Sequence, residues 1–481
     1  MPGLGLVMLL MVGLGIVFTG LPAAVVLIAV AVAGAAFSLL TGTVSLPILT
    51  ALPGRLVNLF ENDLMQALPL YVLMGLLLDR LPVADALYRT TLAILPRGPA
   101  AQLMSGTVLG ALLGPMNGSV GASVLALSRA VAPRLAMHGV PEPTRAALVA
   151  VASTLGVVIP PSLVLILLGD AMLGAHTIAV TTSGRADRVI NTQDIFHGAL
   201  APAGLFLVLC LIAAWLVGRR LPAADKAPEE KPSTGQMLLA VFTVAFLLVL
   251  LGAVALGFFY AVEAAALGAF VLFTGGLLTG RLRGGVLRDV LGQAMAITGA
   301  LFALLIAATT LTLMLRILGT DKLVADWVTA LPGNELTVVA IVLGTIGLSA
   351  FVLDAFEIIF VIVPIVVPPL LIRVADAKWV AVLLLLTLQT SFLLPPFGYA
   401  LMMVRGTLRY AGSLGALVRA LFPFLIAQWI VLATVLLVPR LAHLGEKDGD
   451  RTRVTPKLST EEINRRMQDM LTPIPDMDLP K

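Results

Sequence analysis

The chain has 481 residues, of which 59% are hydrophobic and 12% are charged, whereas an ordinary soluble domain carries roughly 25% charged residues. This composition excludes a soluble globular protein and indicates an integral membrane protein with many spans. The formal net charge of +4 is spread over loops without a basic cluster, so it is attributed to cytoplasmic loops and not to nucleic-acid binding. One cysteine and four scattered histidines offer neither a disulfide framework nor a metal-ligand spacing.

Long windows without charge predict α-helical spans. Residues 146–169, 294–315 and 379–404 each exceed the ~20 residues that a spanning helix needs. The apolar residues 3–40 lack a basic start and are longer than a signal peptide, so we expect two retained spans with a turn near Gly20. In total we expect about 10 spanning helices.

Two polar interruptions of apolar sequence are the strongest indication of function. Residues 98–128 carry no charge, yet Gly-Pro-Met-Asn-Gly-Ser (114–119) stands in their middle, which favours a re-entrant hairpin over residues 98–137. Thr-Leu-Gly-Val-Val-Ile-Pro-Pro-Ser (154–162) then interrupts the next crossing. A helix broken inside a bilayer persists only where its free N–H and C=O groups are buried in protein or line a cavity, so we expect the binding site here.

The same landmarks recur in the second half of the chain. Pro160 is matched by Pro395, 235 residues later, and Asn117 is matched by Asp354, 237 residues later. Two related halves are therefore expected, and counting the crossings between them makes the repeats inverted, with one hairpin opening to the cytoplasm and the other to the outside. The predicted segments are a first repeat (1–219), a charged linker (220–236), a second repeat (237–443) with its hairpin at 335–373, and a hydrophilic, disordered tail (444–481).

Oxygen atoms at the breaks suit a dehydrated cation, because an unwound helix frees backbone carbonyls and nearby side chains add their own oxygens. The side chains with such oxygens are Asn117, Ser119, Ser123, Thr154, Ser162, Asp354, Thr390 and Ser391. Asp354 has two compatible interpretations: an ion-binding carboxylate and a cap of the second hairpin arm. Arg405 is either a carboxylate ligand or an interfacial anchor, and Arg316 is interpreted as an anchor.

At these same residues the sequence resembles the large membrane subunit of tripartite ATP-independent periplasmic (TRAP) transporters. The resemblance is carried by residues 114–119 and 154–162, by Val-Glu-Ala-Ala-Ala (262–266), by Phe-Val-Leu-Asp (351–354) and by Gln-Thr-Ser-Phe-Leu-Leu-Pro-Pro-Phe-Gly (389–398). The last motif, with Val-Arg-Gly (404–406), is similar to the branch often labelled for mannitol or chloroaromatic compounds. The first tip departs from the family pattern at Pro-Met-Asn (115–117).

The resemblance implies an all-α integral membrane protein of the bacterial inner membrane, with an elevator-type ion transporter fold and two inverted-topology repeats. It implies a secondary transporter and no enzyme, with Na⁺ as coupling ion and no cofactor. The implied partners are a small four-helix membrane subunit, a periplasmic substrate-binding protein, a small carboxylate substrate and the lipid bilayer. The implied ion-binding residues are Asn117, Gly118, Ser119, Thr154, Gly156, Pro160, Asp354, Thr390, Ser391, Pro395 and Gly398. The candidate substrate-binding residues are Ser119, Ser162 and Arg405.

Other functions remain open at this point. The nearest alternative is a standalone ion-coupled dicarboxylate or anion symporter of the same superfamily, which needs no binding protein. A channel predicts rings of like charge, and the scattered charges of this sequence argue against it. An intramembrane enzyme would need a metal or nucleophile–base constellation such as His-Glu-x-x-His, which the sequence lacks.

Overall fold

The structure is a computed structural model that describes residues 2–43, 50–95, 98–116, 119–185, 188–222, 232–394 and 398–444. The regular structure of these residues is helical throughout. The α-helices of the first half are α1 (Pro2–Thr19), α2 (Ala23–Leu40), α3 (Ala51–Glu61), α4 (Asp63–Arg80), α5 (Val83–Ile94), α6 (Pro99–Leu113), α7 (Val120–Ala130), α8 (Ala132–Met137), α9 (Glu142–Val158), α10 (Leu163–Ser183) and α11 (Thr192–Gly218). Those of the second half are α12 (Thr234–Ala255), α13 (Ala261–Leu278), α14 (Gly285–Ile317), α15 (Thr320–Ala330), α16 (Glu335–Ser349), α17 (Ala355–Glu357), α18 (Val363–Arg373), α19 (Ala377–Leu393), α20 (Tyr399–Thr407) and α21 (Leu414–Leu437).

Nine helical stretches of the described residues are long and apolar enough to cross a membrane, and ten if the bent pair α4 and α5 counts as one span. This number agrees with the expectation of about 10 spans. The predicted turn near Gly20 is confirmed, because α1 ends at Thr19 and α2 begins at Ala23. The all-α membrane fold predicted from the sequence is therefore confirmed.

The main hydrophobic core surrounds the two interrupted crossings. Every residue of α19 is buried, as are most residues of α9. A second, separate core joins α1, α2 and the end of α14 to Val361 and Ile365 of the second hairpin. The N-terminal helices thus contact the second hairpin through a surface of their own.

The helices repeat as the sequence landmarks predicted. The first hairpin arms, α6 and α16, both have 15 residues, and α16 starts 236 positions after α6. The interrupted crossings begin with α9 and α19, which both have 17 residues, and α19 starts 235 positions after α9. Equal lengths at one offset identify these elements as copies of one unit.

One detail of the predicted correspondence changes. The counterpart of Asp354 is Ser119 and not Asn117, because Ser119 is the N-cap of α7 and Asp354 is the N-cap of α17, 235 residues later. The sequence match was displaced because it paired residue types with similar side chains, whereas the helix start fixes the register. Asn117 itself lies outside the described residues, as do Gly118 and Pro395.

The two hairpins enter the molecule from opposite ends. Glycines of α6 contact α9 at a constant offset, Gly106 against Leu148 and Gly110 against Ala152, so α6 and α9 run parallel from the base of the first hairpin to its tip. After the break, α10 continues until Arg185 donates a hydrogen bond of 2.5 Å to the carbonyl of Leu371, at the base of the second hairpin. Because one interrupted crossing connects the two bases, they lie at its opposite ends.

The domain boundaries remain predictions. Most of the predicted linker (220–236) and nearly all of the predicted tail (444–481) lie outside the described residues. After the linker, Ser233 begins α12 with a capping box in which its hydroxyl accepts from the N–H of Gln236 and the Gln236 side chain accepts from the N–H of Ser233.

Candidate functional site

The tip of the first hairpin is pressed against the break in the first interrupted crossing. A Cβ atom on Gly114 would lie 2.7 Å from the Cα of Gly156, so both positions have room only for glycine. With Gly106 and Gly110, Gly114 forms a stripe that lets the two helix backbones touch. The stripe therefore holds the two breaks side by side.

Four serine hydroxyls surround a small cavity between these breaks. Ser119 and Ser123 come from α7 and its cap, Ser153 lies on α9, and Ser162 caps α10. Three of them are at least 98% buried, and Ser119 is half-buried. The cavity volume is about 10 Å³, close to the least space that holds one water molecule. A single water-sized particle fits here.

The hydrogen bonds of these hydroxyls decide which charge the cavity favours. Ser123 donates to the carbonyl of Ser119 at 3.2 Å, Ser153 donates to Ala150 at 2.7 Å, and Ser162 donates to Val157 at 2.8 Å. Since each hydroxyl carries one hydrogen, those three oxygens can offer only lone pairs to a guest. The cavity is thus suited to a cation without a large charge.

The two interrupted crossings meet at equivalent residues. The amide nitrogen of Gln389 donates to the hydroxyl of Thr154 at 3.4 Å, and the two positions are 235 residues apart, which is the repeat offset. Thr154 also donates to Val151 at 2.9 Å, and both side chains are fully buried. The Thr154–Gln389 pair therefore marks the axis that relates the two repeats, and the Gln389 carbonyl oxygen has no hydrogen-bond partner among the described residues.

The tip of the second hairpin carries two carboxylates. Asp354 accepts a hydrogen bond of 2.7 Å from the N–H of Ala355, which confirms its predicted role as a cap. Glu357, one turn further on, is 5% exposed, and its Oε2 atom has no hydrogen-bond partner among the described residues. An unpaired carboxylate buried in a membrane is costly unless a proton or a bound cation neutralises it.

Tyr399 connects the second tip to the first hairpin. Its hydroxyl lies against Gly121, where an added Cβ atom would come within 2.7 Å of it. The same ring lies within electrostatic range of Asp354 and Glu357. The two hairpin tips therefore approach each other at the start of α20.

The second interrupted crossing offers oxygens of the same kinds as the first. Thr390 donates to Leu386 at 2.8 Å and accepts from Gln428 at 3.2 Å, and Ser391 donates to Leu388 at 2.5 Å. A Cβ atom on Gly398 would lie 2.7 Å from the carbonyl oxygen of Phe392 and 2.8 Å from that of Leu394. Gly398 is required there because two carbonyls converge on its Cα.

The structure brings most of the predicted site residues together. Ser119, Gly156 and Ser162 line the first cavity, whereas Thr154 lies at the axis and Pro160 belongs to the buried break. Arg405 does not line that cavity: it follows Gly398 by seven residues, or ~10 Å of helix, and lies near Tyr410.

Sequence reasoning missed three contributors. Ser153 was overlooked because serine within an apolar helix has no distinctive spacing. Gln389 stood in a quoted motif, and only its contact with Thr154 reveals that it lies on the axis. Glu357 was noted beside Asp354 without a role, and its buried, unpaired oxygen now makes it a candidate.

Comparison with known proteins identifies the family. Residues 7–441 match the family described as tripartite ATP-independent periplasmic transporter, DctM component. The chain belongs to this family. Among its relatives, the 2,3-diketo-L-gulonate TRAP transporter large permease of Escherichia coli K12 is 20% identical and covers 82% of this chain and 88% of its own length. The C4-dicarboxylate TRAP transporter large permease of Rhodobacter capsulatus is 21% identical, with 81% and 88% covered.

Two further similarities extend over most of this permease. The sialic acid TRAP transporter large permease of Vibrio cholerae is 21% identical, with 90% of this chain and 96% of that protein covered. The crystal structure of the YdaH transporter of Alcanivorax borkumensis matches with a TM-score of 0.57 at 15% identity, covering 80% of this chain and 86% of that one. The structural match supports the fold. Family and apolar spans together make the permease a multi-pass protein of the bacterial inner membrane, and a transporter component rather than an enzyme.

Proposed function

We propose that this permease is the transport subunit of a Na⁺-coupled tripartite importer of a small organic acid. The observation that carries the proposal is the cavity of about 10 Å³ between the first hairpin tip and the first interrupted crossing, lined by Ser119, Ser123, Ser153 and Ser162. Three of these hydroxyls spend their hydrogens on backbone carbonyls, so the cavity presents oxygen lone pairs.

Size and charge both favour Na⁺ in this cavity. Its side chains are neutral, and Ca²⁺ sites in proteins generally include carboxylates and six to eight oxygens. Mg²⁺ usually retains several water molecules, for which about 10 Å³ leaves no space. A dehydrated monovalent cation remains. Na⁺ moving down a membrane potential supplies about 2.3 kcal/mol per ion and 100 mV, which is the driving force for import.

A second ion is proposed at the equivalent location of the second repeat. There Asp354, Thr390, Ser391 and Gly398 stand at the same kinds of breaks as in the first repeat. Glu357 adds a carboxylate without a hydrogen-bond partner among the described residues. The negative charge of this tip is the main difference from the first ion site.

The substrate is proposed to be a small carboxylate bound between the tips. The N-termini of α7 and α10 begin at Ser119 and Ser162, and helix N-termini favour anions. Three relatives are named as permeases for 2,3-diketo-L-gulonate, C4-dicarboxylates and sialic acid, all of which are organic acids. Membership of the mannitol or chloroaromatic branch remains a proposal that rests on residues 389–398 and 404–406.

The proposed partners are a small four-helix membrane subunit and a periplasmic protein that delivers the substrate. Their support is membership of the tripartite family. The exposed apolar faces of α1 and α12 are open to lipid or to the small subunit, with Leu10, Phe18, Leu238 and Val249 all more than 60% exposed.

Reconstitution in liposomes tests the proposal. The permease is combined with the small subunit and the binding protein encoded beside it, and uptake of radiolabelled carboxylates is measured with an inward Na⁺ gradient. We expect accumulation that stops when K⁺ replaces Na⁺ or when the binding protein is left out. Uptake that continues in K⁺ would refute sodium coupling. Na⁺-driven uptake by the permease alone would favour the standalone symporter instead.

A further inference from the structure

Two prolines of the second hairpin remove donors from the hairpin's own helix. Pro364 has no N–H to offer the carbonyl of Phe360, four residues earlier, and Pro368 has none to offer the carbonyl of Pro364. The preceding residues, Ile358–Ile362, form a π-helical turn, which in α-helices is frequently found at functional sites. The two carbonyls therefore lie one turn apart in a helix that lacks their usual donors.

Helix α14 supplies donors to these same two carbonyls. The hydroxyl of Thr312 donates to the carbonyl of Phe360 at 3.0 Å, and the guanidinium of Arg316 donates to the carbonyl of Pro364 at 3.3 Å. Donors and acceptors have the same four-residue spacing and ascend together, so α14 and the hairpin arm run parallel. Arg316, interpreted from sequence as an interfacial anchor, in fact binds the hairpin backbone.

These bonds cross the boundary of the second hydrophobic core. On one side of it lie α1, α2 and Leu311, Met314 and Leu315 of α14, and on the other lie Val361 and Ile365 of the hairpin. The rest of this interface is apolar, and apolar side chains alone do not fix the position of one helix along another as hydrogen bonds do. The two polar bonds are what specifies the register.

We propose that Thr312 and Arg316 are positioning residues of the transport cycle, which latch the second hairpin to α14 in one register and release it when the hairpin moves. The proposal rests on the transport function proposed above, since it gives the latch a role in hairpin movement. Because both pairs are spaced by one turn, a slide of ~5.4 Å re-forms one bond with the exchanged partner, either Arg316 with Phe360 or Thr312 with Pro364. The latch thus has two registers separated by one turn.

Distances between spin labels test the latch directly. Labels at Met295→Cys on α14 and Leu348→Cys on the second hairpin, both on exposed side chains, are placed in a Cys210→Ala full-length background in nanodiscs. Pulsed electron resonance without Na⁺, substrate or partners then gives the distance distribution. Thr312→Val, which removes the hydroxyl at nearly constant volume, is expected to change the ratio of the two distance populations about five-fold, the factor for one ordinary hydrogen bond.

Matched variants separate the latch from a general packing effect. Thr312→Ser keeps the hydroxyl and should behave as the parent, and so should Thr310→Val, which lies on α14 but bonds only to Ile306 of its own helix. Pro364→Ala gives Phe360 an intrahelical donor, so in that background Thr312→Val should have little effect. An equal effect of Thr312→Val in both backgrounds, an unchanged distribution, or loss of the folded protein would each overturn the proposal.

Uptake assays distinguish this failure from failure of the proposed function. If the permease imports an organic acid with Na⁺, Thr312→Val is expected to change the maximal rate several-fold while leaving KM for the substrate unchanged, because the latch does not touch the site. A changed KM with an unchanged maximal rate would overturn the positioning role. Absence of any uptake by the parent would refute the proposed function, whereas the distance measurements would still decide the latch.

Discussion

At the scale of single residues, the orientation of hydroxyl hydrogens defines the first ion site. Ser153 and Ser162 are both buried, and both donate to backbone carbonyls, so their oxygens act only as acceptors toward the cavity. The residue types alone do not determine this polarity, because a free serine hydroxyl serves a cation or an anion equally well. Their hydrogen-bond partners do determine it.

Substitution of Ser153 tests the cavity. Ser153→Ala removes one oxygen ligand without adding volume, and we expect the Na⁺ concentration for half-maximal uptake to rise about ten-fold, the effect of losing a contact to a charged group. Ser105→Ala is the control, since Ser105 is also buried but does not line the cavity. An equal loss of Na⁺ affinity in both variants would contradict a specific role for Ser153.

Substitution of Asp354 tests its second proposed role. Asp354→Asn keeps an oxygen that can cap α17 and removes the charge, so thermal stability should change little while the apparent Na⁺ affinity falls about ten-fold. Asp326→Asn, on an exposed turn of α15, is the matched control. If uptake by Asp354→Asn kept the parental Na⁺ dependence, Asp354 would be a cap and nothing more.

At the scale of helices, the close approach of α6 and α9 decides where the breaks lie. Gly110 and Gly114 contact Ala152 and Gly156, and the equivalent pair in the second repeat is Gly347 against Thr387 at 3.8 Å. The second repeat is less tightly packed at this level because threonine is larger than alanine. The glycine spacing in the sequence predicted a packing stripe, but it did not identify α9 as its partner.

Substitution of Gly156 tests this packing. A Cβ atom on Gly156 would overlap the carbonyl of Gly114, so Gly156→Ala must separate the two breaks and should lower both the melting temperature in detergent and the uptake rate. We expect a loss of about 1–3 kcal/mol of stability. Gly204→Ala, in the middle of α11 with nothing near its Cα, should leave the melting temperature unchanged or raise it slightly. Equal melting temperatures in the two variants would refute the tight contact.

At the scale of the whole molecule, two copies of one unit meet across an axis. The hydrogen bond between Thr154 and Gln389 joins equivalent positions, and Arg185 connects the far end of the first interrupted crossing to the base of the second hairpin. The two hairpins therefore face opposite sides of the membrane, which is the arrangement that alternating access requires.

Labelling from each side of the membrane tests this arrangement. Single cysteines at Met137, the end of the first hairpin, and at Glu335, the start of the second, are introduced into the Cys210→Ala background; both positions are exposed. In intact cells a membrane-impermeant maleimide should modify Glu335→Cys and spare Met137→Cys, and inside-out vesicles should give the reverse. Modification of both from one side would contradict inverted repeats.

The sequence by itself determined the class of protein, the approximate number of spans, the location of both breaks and the existence of two related halves. These follow from local properties: hydrophobic length sets a span, and Gly, Pro and polar residues within it set a break. What only the tertiary structure decided is which oxygens face a common space and which carbonyls find donors in another helix. Ser153, the Thr154–Gln389 pair and the latch of Thr312 and Arg316 each depend on helices distant in sequence, so no local pattern could have revealed them.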